Sequence, residues 1–414
     1  MEQCSYCGFV LQASDAGCPN CGAAGKERRP LRADDPAPQQ IVTHYEPTWR
    51  HRLTPFRWRT TGWLKPLLAL FLVAALLSLP QAQPYLQQLD DLLGELSTPY
   101  YEVPETLTMT MMRNFTIFLG DPVDDRGTTD ESDDQPNSAS WRLALSEPGH
   151  RPSGPQGVGN DWQELQSLEA SPTPDSRSGK MVWEGTLTGD ERVDISVVYQ
   201  VRVNTILNQL VPEDSGTVGE VPAGWDAFLQ DEWKIEPSDP QVQALAAELA
   251  AGTDGNVLWI LRNIFDYIMG NFDYVLGAVP RSCQQTLVHG YGDCDDLGLL
   301  FTSLSRAAGI PAWMELGMIP RSADNLQDWG GHAWVNALVP LANGTLTVVT
   351  ADLANGYFLW MPPYRLSEWV DNGDPDDLKA FYFLFSSQGK GTAGFSEDLT
   401  VASWSQQGQL RIAV

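Results

Sequence analysis

The sequence predicts an α+β protein, because strand-like and helix-like patterns occupy separate stretches of its 414 residues. Apolar and mostly polar residues alternate over 193–203, as in a strand with one buried face. Apolar residues then recur three and four positions apart over 245–268 and again over 297–304, which is helical spacing. We therefore expect a β-rich region that is followed by a domain combining helices with further strands.

The composition indicates a folded chain whose two parts face different surroundings. Hydrophobic residues make up 43% of the sequence and aromatic residues 10%, which is enough to bury a core. The formal charge of −27 argues against a general nucleic-acid binder, so no nucleic-acid partner is expected. Residues 1–65 hold 9 Lys or Arg and 6 Asp or Glu, whereas the remaining 349 residues hold 17 and 47.

Four of the six cysteines form two Cys-x2-Cys pairs near the start, Cys4 with Cys7 and Cys18 with Cys21. At this separation four thiolates can surround one tetrahedral Zn²⁺, which leaves no open ligand position for catalysis. The pattern resembles the small zinc ribbons at the N-termini of many membrane proteins, which implies a structural zinc site in residues 1–25. A pair of redox-active dithiols is the alternative, but no strand–helix–strand pattern surrounds these cysteines.

An apolar run follows a linker over residues 26–62, and we predict a transmembrane helix over 63–81. Residues 67–79 are apolar apart from one serine. A buried soluble helix would also fit so short a run, whereas a signal peptide would not follow a metal site and a long linker. Basic residues lie just before the run and next occur at Arg113, so the positive-inside rule predicts a cytoplasmic N-terminus and an extracytoplasmic remainder.

The part after the predicted span divides into three regions. Residues 82–235 read as a β-rich region with acidic, exposed loops, because strand-like alternation is interrupted by segments rich in Asp, Ser, Pro and Gly. Residues 236–362 combine helical spacing with two later strands, and residues 363–414 form a C-terminal extension.

Cys294 is the strongest candidate for a reactive side chain. It lies in the segment GYGDC, directly before the helical pattern of residues 297–304, and Gly309 and Pro311 end that helix. A helix N-terminus favours a thiolate and should lower the pKa of the thiol. The alternative is an ordinary buried thiol, although Asp293, Asp295 and Asp296 make an unusual environment for one.

A nucleophilic thiol needs a histidine and usually an orienting carboxylate, and one predicted hairpin supplies both. His332 opens the alternating segment HAWVNALV, and Asp352 ends TLTVVTAD. If residues 340–344 form the loop, because Pro340 cannot donate to a ladder, then Val339 pairs with Thr345 and His332 lies opposite Asp352. A two-residue turn at Asn343-Gly344 would instead pair His332 with residue 355.

The motifs GDCDD, AAGIPA and HAWV, followed by the strand-end Asp352, together resemble the transglutaminase-like superfamily of papain-related cysteine enzymes. The resemblance covers roughly residues 240–360. It implies Cys294 as nucleophile, His332 as general base and acid, and Asp352 as the residue that orients the histidine. It also implies a papain-like or transglutaminase-like core, in which the helix that begins with the cysteine packs on an antiparallel sheet carrying His332 and Asp352. An aromatic or amide side chain is expected at the oxyanion site, and Gln284 and Gln285 are the candidates.

The expected protein is a membrane-anchored cysteine enzyme that transfers the acyl group of a peptide or glutamine amide through a thioester. Water as acceptor would make it a peptidase or amidase, and hydrolysis is favoured because water abounds outside a cell. An amine as acceptor would make it a cross-linking transglutaminase. A surface scaffold that binds peptides without catalysis, and a zinc-ribbon adaptor with a sensing outer domain, are the non-enzymatic alternatives. Catalysis requires no cofactor in any of these schemes, and the expected partners are a protein or peptide substrate and the membrane.

Overall fold

The structure, a computed structural model, describes residues 2–4, 10–11, 28–30, 100–124, 134–148, 162–177, 179–277, 279–322, 325–381 and 384–413. Cys4 ends a three-residue strand, whereas Cys7, Cys18 and Cys21 lie outside the described residues, as does the whole predicted span over 63–81. In the ranges given above, no helix is long and apolar enough to cross a membrane.

Within the described residues, strands predominate at the start and end of the chain, and four of the five α-helices lie between them. The strands are β1 (Glu2–Cys4), β2 (Val10–Leu11), β3 (Arg28–Pro30), β4 (Tyr100–Val103), β5 (Thr106–Leu119), β6 (Val123–Asp124), β7 (Gln135–Pro136), β8 (Ser138–Ser146), β9 (Gln163–Ser171), β10 (Ser176–Arg177), β11 (Lys180–Thr188), β12 (Arg192–Asn204), β13 (Ile206–Leu207), β14 (Asp273–Tyr274), β15 (Tyr291–Gly292), β16 (Ala312–Ser322), β17 (Asn325–Pro340), β18 (Leu346–Asp352), β19 (Tyr357–Phe358), β20 (Trp360–Met361), β21 (Leu366–Val370), β22 (Phe385–Gly389), β23 (Ala393–Gln407) and β24 (Leu410–Ala413). The α-helices are α1 (Pro240–Ala250), α2 (Val257–Asn271), α3 (Cys283–His289), α4 (Cys294–Ala307) and α5 (Pro375–Phe381).

The chain divides into two compact units. One unit is Val42–Val103 with Gln409–Val414, and its described part is an antiparallel pair of β4 and β24. The other unit is Met1–Ile41 with Pro104–Gly408, and it contains all elements discussed below.

The β-rich region forms two four-stranded sheets, in the orders β23-β5-β12-β9 and β10-β11-β8-β22. The predicted strand over 193–203 is β12, which pairs antiparallel with β5. Alternate residues of β5 are buried along its whole length, because one face of this sheet packs against the hydrophobic core and the other does not. The predicted β-rich character of this region is confirmed.

Strands from near the end of the chain complete both of these sheets. β22 pairs with β8, and β23 pairs with β5 over nearly its full length. Residues 385–407 of the predicted C-terminal extension therefore belong to the β-rich sheets, which no local sequence pattern indicated.

A third sheet has five antiparallel strands in the order β19-β18-β17-β16-β21, and helices pack on it. The predicted helices are present, with α1 capped by Asp239 and α2 capped by Asn256. Alternate residues of β17 share one hydrophobic core with α4: Ala333, Val335, Ala337 and Val339 from the strand and Leu297, Leu300 and Leu304 from the helix. The expected core, a helix beginning at Cys294 and packed on an antiparallel sheet, is confirmed.

Candidate active site

Cys294 is the first residue of α4, as the sequence predicts. Asp293 is the N-cap, and its side chain accepts a hydrogen bond from the backbone N–H of Asp296, whose own side chain accepts from the N–H of Asp293. Gly292 allows this close turn, because a Cβ there would lie 2.5 Å from the Cβ of Asp296. The turn thus fixes the thiol at the start of the helix.

His332 and Asp352 are in contact, although their strands pair in a different register from the predicted one. Val339 lies opposite Thr347, not Thr345, so the loop is 341–345 and Asp352 lies two residues from the position opposite His332. Nevertheless, His332 Nε2 lies 2.9 Å from Asp352 Oδ2. A shift of two residues keeps both side chains on the same face of the sheet, and a histidine can reach its diagonal neighbour.

The predicted loop was too early because Pro340 was expected to end the pairing. In the structure Pro340 pairs with Leu346, and the N–H of Leu341 donates to the carbonyl of Thr345 at 2.8 Å. Hydrogen-bonded and non-hydrogen-bonded pairs alternate in an antiparallel ladder, so Pro340 occupies a position where β18 needs no N–H.

Asp352 is held as a carboxylate by two neighbours. His332 and the side-chain amide of Asn355 both donate to Oδ2, and the backbone N–H of Asn355 donates to Oδ1. Burial would raise the pKa of Asp352, but the contacts with His332 and Asn355 outweigh burial and lower it. With Asp352 ionised, Nε2 of His332 carries its proton, which leaves Nδ1 as the nitrogen available to the thiol.

The Cys294 thiol accepts a hydrogen bond from the backbone N–H of Ala333, the residue after His332. The pairing of β17 with β18 begins at Val335, which lies opposite Ala351. The N–H of Ala333 points to the same side of β17 as that of Val335, but it lies beyond the paired residues and so has no partner in β18. The strand that carries the histidine therefore also holds the sulfur.

The pKa of Cys294 does not follow the sequence prediction. Burial raises the pKa well above its ordinary value, and the carboxylates of Asp295, Asp293 and Asp352 raise it further, while the Ala333 N–H opposes them. The predicted lowering by the helix N-terminus is wrong, because these carboxylates and the loss of solvent outweigh the helix dipole. In the free protein the thiol is protonated at neutral pH.

Tyr274 is a member of this site that the sequence did not reveal. Its hydroxyl lies near Cys294, and burial together with the nearby Cys294, Asp293 and Asp352 raises its pKa. Tyr274 is placed there by the parallel pairing of β14 with β15, in which it lies opposite Gly292. Strands of two residues leave no periodic pattern in a sequence, so this pairing could not be predicted.

The two glutamines considered for the oxyanion site lie on α3. The side chain of Gln285 caps its own helix by accepting from the N–H of Ser282 at 3.0 Å, and Gln284 is exposed on the same helix.

Two other residues have structural roles. Cys283 is fully buried, and burial together with its hydrogen bond to Glu236 raises its pKa to about 12. Trp334, two residues after His332, is also fully buried and belongs to the core.

Ligand atoms of Asp293, Cys294 and Asp295 lie within 4.8 Å of one another, an arrangement that could hold a metal ion. These residues coincide with the candidate nucleophile. The four N-terminal cysteines of the predicted zinc site cannot be placed together within the described residues.

The helices and the antiparallel sheet that position these side chains resemble those of a transglutaminase-like domain. Residues 243–347, a quarter of the chain, match the family model described as the transglutaminase-like superfamily. No curated protein matches the sequence.

Several solved structures resemble the chain at low identity. A candidate cysteine protease from Cytophaga hutchinsonii is 14% identical, with a TM-score of 0.47, and the match covers 76% of this chain and 100% of that one. The periplasmic domain of TgpA from Pseudomonas aeruginosa, bound to ethylmercury, is 14% identical, with a TM-score of 0.25, over 60% of this chain and 90% of that one. Red sea bream transglutaminase is 12% identical, with a TM-score of 0.24, over 66% of this chain and 51% of its own. At these identities and scores the likenesses carry no argument about activity.

Proposed function

We propose that the protein is a membrane-anchored cysteine enzyme that transfers the acyl group of a peptide or glutamine amide through a thioester at Cys294. One observation carries the proposal: β17 supplies both the histidine bound to Asp352 at 2.9 Å and the N–H that holds the Cys294 thiol. Acyl transfer requires a nucleophile, a base and an orienting carboxylate.

In the proposed first half-reaction, His332 removes the thiol proton through Nδ1 while the sulfur attacks the amide carbonyl. Because the pKa of Cys294 is raised in the free protein, the proton moves during the attack and is not transferred beforehand. Asp352 stabilises the imidazolium that forms, and the imidazolium then protonates the leaving amine. The product is a thioester at Cys294.

We further propose that Tyr274 is the side chain at the oxyanion site. Its hydroxyl lies near the sulfur, and its raised pKa keeps it protonated, so it can donate to the oxygen that becomes negative during attack. The backbone N–H of Cys294 would be the second donor.

Hydrolysis of the thioester is the favoured second half-reaction, with water activated by His332. An amine acceptor would make the enzyme a cross-linking transglutaminase. A peptide-binding scaffold without catalysis is the remaining alternative, and the contact between His332 and Asp352 argues against it.

The test is mass spectrometry of the full chain after incubation with a glutamine-peptide library, with and without an added primary amine. We expect an acyl adduct on Cys294, with carboxylate products when no amine is present and amide-linked products when transamidation competes. The same incubation with C294A is the control. An adduct-free Cys294 together with unchanged peptides in every incubation would favour the scaffold.

The proposed membrane anchor is the helix over residues 63–81, with the N-terminus in the cytoplasm and the catalytic domain outside. The support is the apolar run and its basic flank. Intact cells treated with an impermeant amine-reactive biotin should be labelled on Lys180 or Lys234 and not on Lys26. Labelling of Lys26 alone would reverse the proposed orientation.

A further inference from the structure

A second buried carboxylate lies on the same face of the sheet as His332. On β16, Glu315 is opposite Trp334 and Gly317 is opposite His332, so Glu315 is a diagonal neighbour of the histidine. Glu315 is 1% exposed. His332 thus lies between strands that carry Asp352 on one side and Glu315 on the other.

The Glu315 carboxylate binds three donors. Oε2 accepts from the indole Nε1 of Trp334 at 3.0 Å and from the side-chain amide of Asn336 at 2.7 Å, and Oε1 accepts from the Ser367 hydroxyl. Burying a carboxylate is costly unless such donors compensate, so the position demands a precise arrangement of its neighbours.

Trp334 connects this carboxylate to the histidine. Its ring lies 6.1 Å from the His332 ring, at 31°. The far edge of the indole lies against Gly317, where an added Cβ would be 2.9 Å from Trp334 and 1.9 Å from the carbonyl oxygen of Leu366. The indole therefore extends from Glu315 to the residue directly opposite His332, and its N–H bond fixes its direction.

A second connection leads to the strand of Asp352. The Asn336 amide that donates to Glu315 turns its oxygen to Thr350, whose hydroxyl donates to it at 2.5 Å. Thr350 lies on β18 two residues before Asp352. One carboxylate thus holds groups on both strands of the His332–Asp352 pair.

We propose that Glu315 is a positioning residue for His332 and acts through Trp334 and Asn336. This inference rests on the proposed function for its kinetic effect. Asp352, the hydrogen-bonding partner of His332, also acts on the pKa values of Cys294 and Tyr274.

The experiment compares E315Q, E315A and W334F in the full chain. Glutamine can accept from Trp334 and Asn336 with its oxygen and donate to a rotated Ser367 hydroxyl, so E315Q should keep kcat near the wild-type value. E315A should lower kcat by about 10- to 100-fold with little change in KM, because the histidine is displaced and substrate binding is not. E232A is the matched control, because Glu232 is another buried acidic side chain and pairs with Arg306 near the other end of α4. We expect E232A to lower Tm about as much as E315A does, but to leave kcat unchanged.

Equal kcat in E315A and E232A would overturn the proposal, as would a loss in E315Q as large as that in E315A. If E315A fails to fold, W334F decides, because it keeps an aromatic ring and removes the indole N–H that donates to Glu315. It should lower kcat and change the titration curve of His332, followed by NMR of ¹³C-labelled histidine, and unchanged values of both would overturn the proposal. The NMR comparison needs no substrate, so a wild type without Cys294-dependent turnover would defeat the proposed function and still leave the positioning of His332 tested.

Discussion

The backbone N–H of Ala333 donates to the sulfur of Cys294, so the nucleophile is anchored to the residue next to His332. The thiol therefore stays beside the strand that carries His332 as long as α4 packs on β17. The pair does not depend on a flexible loop, since a helix N-terminus and a central strand are rigid elements.

The first prediction concerns Cys294, His332 and Asp352 as one unit. C294A and H332A should each abolish turnover, and D352N should lower it by roughly 10²- to 10⁴-fold because the imidazolium loses its counter-charge. The triple variant should be hardly worse than C294A, since groups that act together are not additive. Steady-state kinetics with any substrate from the peptide library gives the values. Full activity in D352N would exclude the triad.

A second prediction follows from Asn355, which donates to Asp352 at 2.8 Å and lies 3.4 Å from His332 Nε2. N355A should lower kcat by about tenfold, because Asp352 retains only one of the two hydrogen bonds from this residue. N355D should be worse, since it places a second negative charge beside Asp352. N343A, at an exposed asparagine in the β17–β18 loop, is the control and should match the wild type. Wild-type kcat in N355D would contradict this role.

A third prediction distinguishes the thiols of Cys294 and Cys283. Iodoacetamide should modify Cys294, which is half-buried, and spare Cys283, which is fully buried with a pKa of about 12. Because the pKa of Cys294 is also raised, its labelling rate should still be rising above pH 8. Peptide mapping of wild type and C283S measures both sites. Equal modification of the two cysteines would show that the core around α3 opens.

The fourth prediction is a dependence of stability on pH. Burial, together with nearby Asp371, raises the pKa of Glu232 to about 8, even though Arg306 acts in the opposite direction. A carboxyl group with a raised folded-state pKa contributes stability that is complete below its unfolded pKa and is lost as the pH rises towards 8. The Tm of the wild type should therefore fall more steeply between pH 5 and 8 than that of E232Q. E184Q, at an exposed site, should follow the wild type, and parallel curves for wild type and E232Q would contradict the assignment.

The fifth prediction concerns the N-terminal cysteines. Residues 1–25 should bind one Zn²⁺ through Cys4, Cys7, Cys18 and Cys21. Native mass spectrometry of the full chain should show one zinc that is lost in C18S and kept in C283S. A metal-free wild type would favour the alternative of redox-active dithiols.

Local patterns in the sequence were sufficient for the elements that build the site. The spacing of apolar residues, with Gly309 and Pro311 at its end, predicts α4, because the side chains that share one face of a helix recur within one turn of the chain. The contact between His332 and Asp352 could be predicted even in a wrong register, because side chains alternate along a strand and a shift of two restores the face.

Contacts between distant segments account for what the sequence did not reveal. The loop after Pro340 is shifted because it pairs with another segment: the N–H of Gly216 donates to the carbonyl of Pro340, and the N–H of Ala342 donates to that of Asp214. Tyr274 reaches Cys294 through a two-residue bridge. The pKa of Cys294 is raised mainly by burial, and the GDCDD motif alone does not show that the thiol is buried.

The late strand β23 determines how this protein can fold during synthesis. Gln407 pairs with Thr106, 301 positions earlier, so one side of β5 stays open until almost all of the other described strands have left the ribosome. Such a topology has a high contact order, which slows folding. The open edge of β5 presents fourteen residues of apolar alternation to other nascent chains, and a chaperone that covers this edge would suppress co-translational aggregation.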